Sequence, residues 1–262
     1  MTPILAFDIE TVPDAAGLRR AHAVGDEVSD AAVVEWMAQK RRAQSGSDFL
    51  QLPYHKVVAI ACALRDDSGF KIASVGTKED PEPELIRRFF DLIDKHTPQL
   101  VSWNGGGFDL PVLNYRALMH GVTAARYWDW GDDDRDFKFN SYLSRYHTRH
   151  LDLMDVLAMY QPRATAGLHA LARLCGFPGK LGMDGGEVHA AIAAGKQDDV
   201  RRYCETDVMN TYLVYLRFRR LRGELTAGEY AKEVSLARER IAAINAPHWL
   251  EFISAWDANA AH

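Results

Sequence analysis

The chain has 262 residues, with 36 acidic against 31 basic side chains and a formal net charge of −5. That balance argues against a wide basic footprint on duplex nucleic acid, so any polynucleotide is expected to be gripped through a short contact such as one chain end. No apolar run approaches the roughly 18 residues of a membrane helix and no secretory leader is visible. The odd set Cys62, Cys175 and Cys204, without a C-x-x-C pair, argues against a zinc or disulfide framework and fits a reduced, cytoplasmic setting.

In chain order, residues 3–11 alternate and are β-rich, predicting a buried strand that starts almost at once. Residues 13–55 are polar and Ala-rich and predict a helical insertion, with Lys40-Arg41-Arg42 on a solvated face and Ser45-Gly46-Ser47 as a loop. Residues 56–65 and 70–76 read as adjacent strands joined by the turn Asp66-Asp67-Ser68-Gly69. Residues 82–96 suit a helix. Gln99 to Trp103 is a short apolar strand that ends in Asn104-Gly105-Gly106-Gly107, and a helix is expected from Pro111 with Asp109 near its start.

The aromatic, highly charged stretch 126–149 reads as a long surface loop. Its Trp128, Trp130, Arg126 and Lys138 are suited equally to holding bases and backbone or to an ordinary loop cluster. His147 and His150 are better read as loop residues than as a metal pair. Residues 150–153 predict a last strand, and 154–258 is mainly helical apart from 177–186. One helix spans Asp198 to Arg222, where Gly223 is a natural stop. This order predicts an α/β architecture with a mixed sheet of five to six strands flanked by helices and a mainly helical C-terminal part. Residues 1–222 are expected to form one domain, with 223–262 as a helical extension packed on it.

Chemistry concentrates in three segments: FDIET (7–11), NGGGFD (104–109) and YCETD (203–207). Alternate strand residues share a face, so Asp8 and Glu10 project together with Ile4 and Ala6 behind them, while Leu5, Phe7 and Ile9 take the other face. Tyr203 and Asp207, four apart on a helix, share a face one turn apart, and Glu205 points elsewhere, into solvent. Asp109 alone reads as a helix N-cap. Four clustered carboxylates, Asp8, Glu10, Asp109 and Asp207, would raise one another's pKa values without a counterion. Two divalent cations cancel four such charges, and an all-oxygen donor set suits Mg²⁺ or Mn²⁺. Two ions roughly 4 Å apart can clamp in-line attack at phosphorus.

The three segments resemble the Exo I, Exo II and Exo III motifs of DEDD-type 3′–5′ exonucleases, and FDIET resembles the form found in the proofreading domain of family B DNA polymerases. Through HLDLMDVL (150–157), FPGK (177–180), YCETDVMNTYLVYLR (203–217) and NAPHW (245–249), the chain is similar to stand-alone bacterial proteins known as predicted 3′–5′ exonucleases related to that domain. The resemblance implies a ribonuclease H-like exonuclease fold and a site of Asp8, Glu10, Asp109, Tyr203 and Asp207. The four acids would hold two Mg²⁺ or Mn²⁺ ions, and Tyr203 would orient or help deprotonate the attacking water.

A histidine subclass has His five residues before the last Asp. Here that position is Arg202, which favours the tyrosine subclass. The implied activity is removal of nucleoside 5′-monophosphates from a free 3′ end, expected to be single-stranded DNA. Asn104 and Phe108 are candidates for the terminal sugar or base and Lys180 for a phosphate. Asp152 and Asp155 are candidates only for support behind the ligands. Two other readings stay open at this point: an RNA-trimming exonuclease of the ribonuclease D type, and a non-catalytic module that binds nucleic-acid ends.

Overall fold

Strand β1 (Ile4–Pro13) is the axis of the molecule. Ile4 and Ala6 enter one core, and Leu5, Phe7 and Ile9 enter a second core on the opposite face. That division follows from the two-residue period of a strand. It also fixes the register, because a slip by one residue would exchange the two faces. The computed structural model describes residues 2–260.

Helices α1 (Ala15–His22) and α2 (Asp30–Ser45) come next, and the side chains of Asp14 and Ser29 accept from backbone N–H groups in their first turns. They close a small apolar cluster of Leu18, Val33, Met37 and Leu50. A 3₁₀ turn, Leu52–Tyr54, returns the chain to β2 (His55–Asp66), which runs antiparallel to β1 with a bulge between Glu10 and Thr11. Strand β3 (Gly69–Ser74) pairs antiparallel with β2. After α3 (Glu82–His96), β4 (Gln99–Ser102) pairs parallel with β1; after α4 (Asp109–His120), β5 (His150–Asp152) pairs parallel with β4. The sheet is mixed and five-stranded, in the order β3-β2-β1-β4-β5.

The insertion is tied down by buried charge. Arg116 of α4 donates from Nε to Glu82 Oε1 at 2.7 Å and from Nη1 to Asp14 Oδ2 at 2.6 Å, and Glu82 also accepts the Val57 N–H at 2.7 Å. Arg116 and Glu82 are each only 3% exposed as side chains, so removing one would strand the other away from water.

Helices α5 (Leu153–Leu157), α6 (Leu168–Leu174), α7 (Val188–Ala193), α8 (Gln197–Leu221), α9 (Ala227–Ile244) and α10 (Pro247–Ala260) complete the fold. α8 lies across β1 and β2 and is buried along most of its length. Ile241 of α9 and Trp249, Phe252 and Trp256 of α10 enter the same core as α8. Arg65 of β2 adds a two-pronged pair to Glu233 of α9, at 2.7 and 2.8 Å. Residues after α8 therefore share a core with the sheet. No helix among the described residues is long and apolar enough to cross a membrane.

The stretch 126–149 departs from a plain surface loop. It holds one 3₁₀ turn, Arg135–Lys138, and buries Tyr127, Phe137 and Tyr142 in the core under α3 and α4. Trp128 and Trp130 remain exposed. Arg126 lies 5.1 Å over the Phe137 ring and 3.1 Å from Asp134, so its charge serves the loop itself.

Candidate active site

In the middle of β1, Asp8 and Glu10 project from the face occupied by Ile4 and Ala6 and meet α8. The ladder slips directly after Glu10, and such a bulge bends a strand away at that point. α8 presents Tyr203, Cys204 and Asp207, all buried. The ligand atoms of Asp8, Glu10 and Cys204 lie within 4.8 Å of one another.

Asp109 arrives from the other core. It is the first residue of α4 rather than its cap; the cap is Phe108, which makes no side-chain capping bond. Freed from capping, Asp109 Oδ1 accepts the Ile9 N–H at 3.1 Å, which docks α4 between the two acids of β1. The preceding turn is built for this delivery. Asn104 takes a left-handed φ of 64°, and a Cβ on Gly105 would collide with the Ser102 side chain at 2.3–2.5 Å. Asp152 accepts the Asn104 and Gly106 N–H groups at 3.0 and 2.8 Å and also caps α5. Asp152 thus orients the turn that carries Asn104, Phe108 and Asp109, while Asp155 lies 3.5 Å from Arg145.

The electrostatics are those of an acid cluster in need of cations. Burial, then the charges of Asp109, Glu10 and Asp207, push Asp8 well above the usual carboxylate range. Burial and Asp207 do the same to Glu10. Burial raises Asp109 to about 7 even though the Ile9 N–H pulls it down. Asp207 is raised by burial, with Lys180 and Tyr203 restraining the rise. Its Oδ1 is buried and has no hydrogen-bond partner among the described residues. An orphan oxygen beside three more acids fits a divalent ion, and oxygen donors fit a hard one. Cys204 donates to the Asp8 carbonyl at 3.4 Å and lies 3.7 Å from Asp8 Oδ2. Burial and the charges of Asp8, Glu10, Asp207 and Asp109 push its pKa well up.

Lys180, a phosphate candidate from the sequence, also faces the acid cluster. Its Nζ lies 2.7 Å from Asp207 Oδ2, donates to the Tyr203 hydroxyl at 2.5 Å and sits 5.1 Å over the Tyr203 ring centre. Burial alone would lower its pKa, but Asp207, Asp8 and Glu10 outweigh that and raise it. The ammonium therefore acts as the counter-cation of the acid cluster. The loop is held for this by Asn210 of α8, which accepts from the Gly179 N–H at 3.0 Å and donates to the Gly179 carbonyl at 2.9 Å. Burial and the charges of Asp207, Glu10 and Asp8 push the Tyr203 phenol far above its ordinary value.

Glu205, expected in solvent, is instead bonded on both sides. It accepts the Ser74 N–H at 2.8 Å and the Ser74 hydroxyl at 2.7 Å, and lies 3.0 Å from His248 Nε2 in the NAPHW segment. These bonds fasten α8, between Tyr203 and Asp207, to the edge strand and to α10. Beside Tyr203 opens a cleft of about 620 Å³, edged by Lys196, Arg202, Thr206 and His248. His147 accepts the Ser141 N–H at 2.8 Å, whereas His150, read from sequence as a loop residue, opens β5 and lies 2.8 Å from the Ser102 hydroxyl.

Residues 47–256 match the family model described as "Predicted 3'-5' exonuclease related to the exonuclease domain of PolB". The chain belongs to this family. The predicted 3′–5′ exonuclease family is related by that description to the polymerase B exonuclease domain, and the α/β fold with its mixed five-stranded sheet is the ribonuclease H-like exonuclease fold. Among curated relatives, the chain is similar to a DNA polymerase epsilon catalytic subunit of Schizosaccharomyces pombe, at 28% identity over 147 residues, 53% of this chain and 6% of that one. It is also similar to a DNA polymerase epsilon catalytic subunit of Arabidopsis thaliana, at 26% identity over 159 residues, 57% of this chain and 7% of that one. The exonuclease-family chain thus spans only a small fraction of these relatives' length. Among solved structures, the family B DNA polymerase of the archaeon Pyrobaculum calidifontis aligns with a TM-score of 0.48 and 18% identity, over 93% of this chain and 29% of that one.

Proposed function

We propose that the chain is a divalent-metal-dependent 3′–5′ exonuclease of the tyrosine subclass, releasing nucleoside 5′-monophosphates from single-stranded DNA ends. The observation that carries this reading is the convergence of Asp8, Glu10 and Asp207 around the Lys180 ammonium, with Asp109 docked on the intervening Ile9 N–H. Asp8, Glu10, Asp109 and Asp207 are the residues that would hold two Mg²⁺ or Mn²⁺ ions. Bound there, such ions supply Lewis-acid stabilisation of phosphate charge and acidify a water.

The remaining work falls to the chain's own groups. Tyr203 accepts from Lys180, and burial with the charges of Asp207, Glu10 and Asp8 raises its pKa, which supports a role in positioning a water by hydrogen bonding. This favours the orienting role over the deprotonating one. Lys180 loses its duty at Asp207 once the carboxylates have other partners, and its ammonium then becomes available to the scissile phosphate. Asn104 and Phe108, on the turn held by Asp152, are the residues assigned in this reading to the terminal nucleotide. The cleft beside Tyr203 is of a size that suits a small ligand.

The test is an assay on 3′-labelled oligonucleotides that varies sugar, strandedness and divalent ion. Wild-type protein is expected to release mononucleotides from single-stranded DNA with Mn²⁺ or Mg²⁺ and to lose that activity in EDTA. Asp8→Ala and Asp207→Ala should abolish release while circular dichroism stays unchanged. Wild-type rates in both variants would refute the reading, and preferential loss of RNA would reassign the substrate through recognition of the 2′-hydroxyl.

A further inference from the structure

Phe49 is an exposed aromatic held unusually firmly. Its side chain is 52% exposed, whereas its neighbour Leu50 is buried among α1 and α2. Three bonds fix the backbone here: Phe49 N–H to Ser47 Oγ at 3.2 Å, Arg41 Nε to the Phe49 carbonyl at 3.3 Å, and His55 Nε2 to the Leu50 carbonyl at 3.2 Å. The ring rests on two others. It lies 4.8 Å from the His55 ring and 5.9 Å from the Phe108 ring, and His55 and Phe108 meet edge to face at 5.2 Å.

A single exposed hydrophobic residue needs no explanation. This one differs because both rings beneath it lead straight to the acid cluster. His55 Nδ1 faces the Thr11 hydroxyl at 3.1 Å, and Thr11 follows Glu10. Phe108 precedes Asp109. With both ring nitrogens engaged inside the protein, His55 is a fixed support. Three segments distant in sequence thus build one aromatic step whose lower rings are one residue along the chain from Asp109 and one hydrogen bond from the residue after Glu10, and Phe49 on top of it is exposed.

We propose that Phe49, seated on His55 and Phe108, is a stacking platform for a base of the single-stranded substrate close to its 3′ end, with Arg41 beside it for the backbone phosphate. The proposal rests on the nuclease reading and adds to it a residue from the helical insertion. A nucleobase is the occupant because every base offers an aromatic face and the platform is built on the residues that flank Glu10 and Asp109 in the chain. Rigidity matters as much as area, since a ring already held in place loses little freedom on binding.

The test measures binding of a fluorescent oligothymidylate, intact or with one abasic residue at each of the last few positions, with Ca²⁺ in place of Mn²⁺ to hold turnover. Phe49→Ala is expected to weaken the intact oligomer by roughly 5- to 150-fold, the range of a lost base–aromatic stack. Phe49→Trp should bind like wild type, and Phe49→Leu, which keeps apolar bulk without a ring, should behave like Phe49→Ala. The penalty should disappear for the oligomer whose abasic residue occupies the seat. A Phe49→Ala protein that binds as tightly as wild type, or a penalty equal across all abasic oligomers, overturns the platform. In those cases Mn²⁺-dependent hydrolysis by wild type would leave the nuclease reading standing. A wild type that neither binds nor cuts the oligomer overturns both.

Discussion

Asp109→Asn should make the metal-free protein more stable, and increasingly so as pH rises. The Asp109 carboxyl is 4% exposed and is pushed to about 7 from the ordinary 3.8, first by burial and further by Asp152. Because the folded value lies above the unfolded one, the folded chain binds more protons between these two pH values, and unfolding free energy falls as pH rises through that window. Above pH 7 the full cost is present, about 4 kcal/mol for the difference between 7 and 3.8. At about pH 4 the folded carboxyl is protonated and the unfolded one about half so, and the cost is under about 1 kcal/mol.

Asparagine keeps the oxygen that accepts the Ile9 N–H at 3.1 Å. It gives up the attraction of a negative charge to the start of α4, worth about 0.3–1 kcal/mol. A net gain of about 3 kcal/mol at pH 8 remains. Urea unfolding in EDTA at pH 4 and pH 8 reads it directly, and Mn²⁺ should erase the advantage by favouring the ionised acid. An advantage equal at both pH values, or a variant less stable than wild type at pH 8, would refute the reasoning.

Other substitutions probe the remaining parts of the site and its frame. Tyr203→Phe keeps the ring but loses the hydroxyl that accepts from Lys180, so single-turnover hydrolysis should slow on the order of 100-fold with a much smaller change in end binding. Lys180→Gln removes the ammonium that competes for the acids; a thermal-shift titration should show tighter Mn²⁺ binding while turnover falls. Arg116→Leu leaves Glu82 and Asp14 buried without their partner and should cost about 3–5 kcal/mol in urea unfolding, with equal loss at low and high Mn²⁺.

The parts legible in the sequence are those ruled by short periods. Alternation from Ile4 to Glu10 gave both core faces and the shared side of Asp8 and Glu10, because a strand allows no other arrangement. The four-residue spacing of Tyr203 and Asp207 set them together on α8. What stayed hidden depends on packing between distant segments. Lys180 lies in an irregular run, held by the Asn210 clamp on Gly179 and by His169 Nδ1, which accepts the Lys180 N–H at 3.0 Å. Glu205 looked solvated because no sequence pattern shows that α8 is enclosed by β3 and α10 as well as by β1. Tyr127, Phe137 and Tyr142 sit in a stretch too charged to look like core, yet the rings go in, and the one carboxylate that follows them inward, Asp129, is satisfied by the Gly131 and Asp134 N–H groups. Asp109 resembled a cap, and its actual bond runs to Ile9, 100 residues away.

The central claim is that four acids from three segments share cations. Crystals soaked in Mn²⁺ and examined by anomalous scattering test it most directly. Manganese peaks are expected between Asp8, Glu10 and Asp207, one of them facing Asp109, with the Lys180 ammonium withdrawn from Asp207. No peak within ligand distance of these carboxylates at saturating Mn²⁺, with Lys180 still paired to Asp207, would contradict it.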